Sequence, residues 1–117
     1  MAVTKEFLDF AADQLAPLGV IRVKRMFGGA GFYCDELFFA IAGDEALYFK
    51  VDDENRAEFE AAGLEPFTFV TNDGKAAAMS YYDAPEGSLD DQELLIKWAE
   101  KGLAAARRAK RRRKKKK

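Results

Sequence analysis

At 117 residues, 49% of them hydrophobic and 33% charged, the chain has the composition of one globular domain and is too short for two cores. It has no histidine and a single cysteine, Cys34, which excludes Ser-His-Asp and Cys-His nucleophile activation, imidazole-bearing zinc sites and any internal disulfide. The formal net charge of −1 hides a division: residues 1–106 hold all 20 acidic residues and 9 of the 19 basic ones, a charge of −11, while residues 107–117 hold the other ten cations.

Phe7, Leu8, Ala11, Leu15 and Leu18 recur at helical spacing behind Thr4, a suitable N-cap, and Pro17 and Gly19 close that segment. From Val20 to Arg25 apolar and basic residues fit a strand with one wet face. Gly28, Gly29 and Gly31 then predict a bend or bulge, with Met26 and Phe27 entering the core. Phe32–Cys34 and Leu37–Ala42, joined by Asp35-Glu36, predict a hairpin whose turn lacks the favoured glycine. After the turn Gly43-Asp44-Glu45, the alternation of Leu47, Phe49 and Val51 with Tyr48 and Lys50 gives a fourth strand.

Asp52-Asp53-Glu54 open a short helix through Phe59 and Ala62, which Gly63 terminates. Phe67–Thr71, the turn Asn72-Asp73-Gly74 and Ala76–Tyr82 form a second hairpin. Ser88 and Asp91 resemble a capping box ahead of a last helix, on which Leu94, Leu95, Trp98, Leu103 and Ala106 mark one face. The order helix, four strands, helix, two strands, helix predicts an α+β domain with a mainly antiparallel sheet.

Arg25-Met26-Phe27-Gly28-Gly29-Ala30-Gly31-Phe32-Tyr33, then Phe39-Ala40 and Leu47-Tyr48-Phe49-Lys50-Val51, resemble the N-terminal domain of the TfoX/Sxy competence regulators. Asn55-Arg56, Ala62-Gly63, Pro66-Phe67, Met79-Ser80-Tyr81-Tyr82, Pro85, Leu94 and Trp98-Ala99 continue the pattern, over about residues 5 to 106. The resemblance implies a two-layer α+β domain like that of secretion chaperones, with strand and helix order α-β4-α-β2-α. It also implies a link to transcriptional control of DNA uptake beside a DNA-bound activator. Two departures stand out: the full-length regulators carry a second domain where this chain has a basic run, and Asp35-Glu36 replaces their usual Asp-Gly.

The chain thus divides into a domain over 1–106 and a basic tail over 107–117. Arg107, Arg108, Lys110, Arg111, Arg112, Arg113, Lys114, Lys115, Lys116 and Lys117 repel one another unless they meet an anion. Nucleic-acid phosphate is the anion expected, bound without base specificity because the tail has neither aromatic nor amide side chains. Three other readings stand beside it: a solvated, disordered terminus, contact with an acidic protein surface, and a tail folded back onto the chain's own acidic body. Arg25, Met26, Phe27, Gly28 and Gly29 lack the third glycine of a dinucleotide loop and the Gly-Lys-Ser/Thr of a phosphate loop. They read as structural, or as a loop for a partner.

Arg22, Lys24 and Arg25 form a basic patch with Lys50 only if their strands are neighbours. Cys34 reads as a buried, inert thiol, and Phe32, Tyr33, Tyr48, Tyr81 and Tyr82 as strand packing or as an aromatic surface. The carboxylate pairs Asp52-Asp53 and Asp90-Asp91 fall at helix starts, where the helix dipole favours them without any catalytic role. No apolar run reaches membrane length and no signal peptide opens the chain. The expectation is a cytoplasmic, non-enzymatic interaction module without metal or cofactor. Its partners would be an unidentified protein, such as transcription machinery or a second copy of the chain, with DNA or RNA on the tail. The alternative is a small-molecule or peptide-binding module between sheet and helices.

Overall fold

The computed structural model of the chain describes residues 3–26, 29–43, 46–70 and 73–115. Thr4 begins it as the sequence predicts: its hydroxyl accepts a hydrogen bond from the Phe7 amide at 3.1 Å, capping helix α1 (Lys5–Leu15). Leu8, Ala11 and Leu15 form the buried stripe of that helix, and a 3-10 turn over Ala16–Leu18 carries the chain to Gly19. Strands β1 (Ile21–Met26), β2 (Gly29–Cys34), β3 (Leu37–Gly43) and β4 (Ala46–Lys50) follow. Then come helix α2 (Arg56–Ala61), strands β5 (Pro66–Val70) and β6 (Ala76–Asp83), a 3-10 turn over Ser88–Asp90, and helix α3 (Gln92–Lys115). The six strands make one antiparallel sheet in the order β1-β2-β3-β4-β6-β5.

The β2–β3 turn forms without glycine. Asp35 and Glu36 both adopt positive φ, 50° and 69°, the backbone of a type I′ turn that normally favours Asn-Gly or Asp-Gly. Local bonds hold it there. Asp35 Oδ1 accepts from the Val20 amide at 3.2 Å, the Asp35 amide donates to Val20 O at 2.9 Å, and Arg22 grips Glu36 through two nitrogens at 2.8 and 3.2 Å.

The irregularity predicted at the glycines lies on the facing strand. Phe32 pairs with Ala40 but Tyr33 with Phe38, so Phe39 is the extra residue of a bulge in β3. The shift sends Phe39, Ala40 and Ala42 into the core and turns Phe38 the other way. Gly29 and Gly31 keep regular pairing with Met26 and Lys24. Glycine is needed at 29 for close approach, because a Cβ there would stand 2.3 Å from the Ala42 carbonyl oxygen. Met26 is corrected too: it lies beside Phe38 on the far face of the sheet, where both would crowd a side chain at Gly31. Phe27 and Gly28 fall outside the described residues, as do Asp44, Glu45 and Asn72 of the predicted turns and Thr71 at the end of the predicted strand.

The helices cover one face of the sheet, around fully buried Phe32, Phe39, Phe49, Phe59, Leu15, Leu47 and Leu95. Each such side chain contributes about 1.5–3 kcal/mol by leaving water. Gly63 ends α2 at φ 79°: its amide donates to Glu60 O at 3.0 Å and the Leu64 amide to Phe59 O at 3.1 Å, the two bonds of a Schellman motif. The predicted capping box shifts. Asp91 caps α3 by accepting from the Leu94 amide at 3.3 Å, whereas buried Ser88 donates to Pro85 O at 2.6 Å and closes the preceding turn.

Helix α3 crosses the sheet where β3 and β4 part. A Cβ on Gly102 would lie 3.0 Å from Phe49 Cβ and 3.2 Å from both Lys50 N and Phe39 O, so the helix can rest on the strand ends only with glycine there. From that crossing α3 runs on without a break through residue 106 into the basic segment.

Candidate functional site

The basic segment is helical as far as Lys115, so its cations are sorted by the 3.6-residue period rather than spread along a coil. One face turns back to the body. Arg108 donates Nε and Nη2 to the two oxygens of Asp52 at 2.6 and 2.8 Å, its Nε also lies 3.3 Å from Glu54, and Arg112 stands 3.9 Å from the same glutamate. Asp52 is already fixed, accepting at Oδ1 from the amides of Glu54 and Asn55 at 3.0 and 3.2 Å. The hydrogen bonds from Arg108 hold its carboxyl below the usual carboxylate range, against the opposing effect of burial. The reading of a tail folded back on the acidic body therefore describes Arg108 and Arg112.

Arg107 and Arg111, four residues apart, lie exposed on a second face, and among the described residues neither has a carboxylate partner within ion-pair distance. A third face carries Ala106, Ala109, Lys110 and Arg113. These four meet the strand ends and line a pocket of about 320 Å³ together with Tyr33, Glu36, Phe38 and Lys50.

Lys50 enters this pocket from the end of β4. Burial, and then the charge of Arg113, push its ammonium below the normal lysine value, while Asp52 pulls weakly the other way. Its Nζ also lies 5.5 Å from the centre of the Tyr81 ring. The Tyr33 and Phe38 rings stack with centroids 5.0 Å apart, and Phe38 meets Tyr81 at 5.9 Å. Tyr81 is only 6% exposed, and burial, with a smaller effect of Tyr33, pushes its phenol up to about 12. The Glu36 carboxylate is held by Arg22, whose guanidinium lies 4.3 Å from the Tyr33 ring centre.

The tyrosines therefore divide between the two faces of the sheet. Phe32 and Tyr82 join the core, where the Tyr82 hydroxyl donates to Glu60 at 2.8 Å. Tyr33, Tyr48 and Tyr81 pack with Phe38 and Phe67 on the opposite face, Tyr48 meeting Phe67 edge-on at 4.9 Å. The basic patch conceived for Lys50 does not assemble, because β2 and β3 separate β1 from β4. Arg22 goes to Glu36, and Arg25 donates to Val3 O at 3.1 Å. Lys50 joins Lys110 and Arg113 instead, a grouping that spans the chain from β4 to the far end of α3. Lys114 and Lys115 end that helix, and Lys116 and Lys117 fall outside the described residues. No helix among the described residues is long and apolar enough to cross a membrane.

An α+β domain whose open antiparallel sheet carries three helices, with closely packed glycines at 29 and 31 in β2, is the class that these observations define. The TfoX N-terminal domain family matches residues 13–106, and the chain belongs to that family. It is also similar to a protein of Aliivibrio fischeri (strain ATCC 700601 / ES114) named DNA transformation protein TfoX1, with 33% identity over 69 residues. That match takes in 59% of this chain and 32% of the relative, so the matched region is about a third of the relative's length. The family match ends at residue 106, which leaves the exposed basic face of α3 outside it.

Proposed function

We propose that this TfoX-type domain is a cytoplasmic, non-catalytic interaction module connected with DNA transformation and its transcriptional control. In it the end of α3 holds nucleic-acid phosphate while the acidic body meets a protein partner. The observation that carries the nucleic-acid half is the division of cations on α3. Arg108 and Arg112 are spent on Asp52 and Glu54, whereas Arg107 and Arg111 stand exposed with no carboxylate partner among the described residues. Exposed cations on a rigid helix attract phosphate without reading bases. The relative's name, DNA transformation protein, supports the cellular setting.

Titration of a fluorescent DNA duplex over a series of salt concentrations tests this. With four to six phosphates neutralised, log affinity falls against log salt with a slope of about −4 to −5. Replacing Arg107, Arg111 and Lys114 to Lys117 by glutamine leaves the Asp52 pair in place and flattens the slope to the small part that Lys110 and Arg113 contribute. Unchanged affinity in that variant would overturn the assignment of DNA contact to α3.

A further inference from the structure

The pocket at the strand ends brings like charges together around a concavity. Lys50 comes from β4, and Lys110 and Arg113 lie three residues apart on one face of α3. The one carboxylate among the described residues of the lining, Glu36, is engaged by two nitrogens of Arg22. Lys50 is half-buried; burial first, and then the charge of Arg113, lowers its ammonium below the normal lysine value, with Asp52 acting the other way. A cluster of this kind is relieved by an anion, and most by a dianion. Tyr33 and Phe38 also line it, stacked on each other with the Arg22 guanidinium over the Tyr33 ring, so they offer their ring edges to a planar group and give nothing to a bare ion. The volume, about 320 Å³, is at the lower end of pockets that hold small organic ligands.

We propose that this pocket binds a small phosphomonoester bearing a planar group, with the phosphate on Lys50, Lys110 and Arg113 and the planar group against Tyr33 and Phe38. The phosphate of a monoester carries close to two negative charges at neutral pH and three acceptor oxygens. The forked guanidinium of Arg113 and the two ammonium groups match it, since together they supply both charge and directional donors. This site is independent of the DNA contact proposed for Arg107 and Arg111, which lie on another face of the helix.

Titration of the full chain with adenosine 5′-monophosphate, with adenosine and with inorganic phosphate, followed by calorimetry and by NMR of the tyrosine rings, tests the proposal. The monophosphate is expected to bind saturably and at least tenfold more tightly than inorganic phosphate, to shift the Tyr33 ring signals, and to leave adenosine alone without measurable binding. Lys50→Gln weakens it tenfold or more. Arg113→Gln, an exposed helix position that the fold does not depend on, does the same, so a folding defect at Lys50 leaves the question answerable. A monophosphate no tighter than inorganic phosphate, or undiminished in both variants, overturns the site.

Discussion

Arg108 and Asp52 form a two-pronged ion pair, 2.6 and 2.8 Å long, between residues 56 positions apart in the chain. It fastens the basic end of α3 to the start of α2. Both side chains are mostly buried, 17% and 11% exposed, so removing one partner leaves a desolvated charge on the other. Arg108→Ala is expected to destabilise the domain by about 1–3 kcal/mol, and a double-mutant cycle with Asp52→Ala to show coupling of about 1–2 kcal/mol, read from urea unfolding. The sign of the pH dependence follows from Asp52. Its carboxyl titrates lower in the folded chain than in the unfolded one, so the pair's contribution is complete above the unfolded value near 4 and disappears as pH falls through the folded value. The variant should therefore lose most relative stability at neutral pH and converge on the parent in acid.

Asn55 stands in the same joint and is 3% exposed. Its Oδ1 accepts from the Asp52 amide at 2.8 Å, and its Nδ2 donates to Lys50 O at 3.3 Å and to Lys101 O at 3.0 Å, tying β4, the entry to α2 and α3 together. Only an amide can accept from one group and donate to two carbonyls here. Asn55→Ala is expected to cost about 2–3 kcal/mol, since it strands buried backbone groups. Asn55→Asp does no better at neutral pH because it sets an anion against those two carbonyls. Equal unfolding midpoints for Asn55→Asp and the parent would show that donation from Nδ2 contributes nothing.

Gly102 offers a test in which local preference and packing oppose each other. In an isolated helix, alanine in place of glycine gains about 1 kcal/mol. In α3 the added Cβ meets Phe49 Cβ at 3.0 Å and two backbone atoms at 3.2 Å, so the helix must lift off β3 and β4. Gly102→Ala is expected to lower stability by about 1–3 kcal/mol. Lifting α3 also moves Lys110 and Arg113 away from Lys50, so the Tyr33 and Tyr81 ring signals should shift in the same variant.

The elements themselves were legible because each carries a local signal. Thr4 announces a cap, Gly63 a helix stop, and the alternation through Leu47–Val51 a strand. What escaped was set by pairing between distant segments. Nothing near Phe39 marks it as a bulge, since the extra residue follows from the register between β2 and β3. The sequence places Met26 in the core beside the glycines, yet strand parity fixes it on the far face. In the sequence Asn55 stands out only within the family pattern, and its bond to Lys101 O depends on where α3 arrives. The pocket was hidden for the same reason: Lys50 and Arg113 are 63 positions apart in the numbering, and only the crossing at Gly102 brings them together. The basic run was plain in the sequence. Its division into a paired face, an exposed face and a pocket face became visible only with the helix.

Cys34 is fully buried in β2 and packed in the core cluster. Burial raises its thiol above the ordinary cysteine value, the neighbouring charge of Asp35 adds to that, and Arg107 opposes both. Since the thiolate is the reacting form, the folded chain presents neither access nor nucleophile at neutral pH. A disulfide reagent is therefore expected to react with Cys34 only through opening of the structure, at a rate that rises with urea and becomes immediate in the unfolded chain. Arg107→Glu exchanges the one opposing charge for another acidic one and should raise the thiol further, slowing any residual reaction above pH 8. If instead the native chain is labelled rapidly at a rate independent of urea, β2 opens at its turn end, and the close packing of Cys34 beside the Asp35–Glu36 turn is wrong.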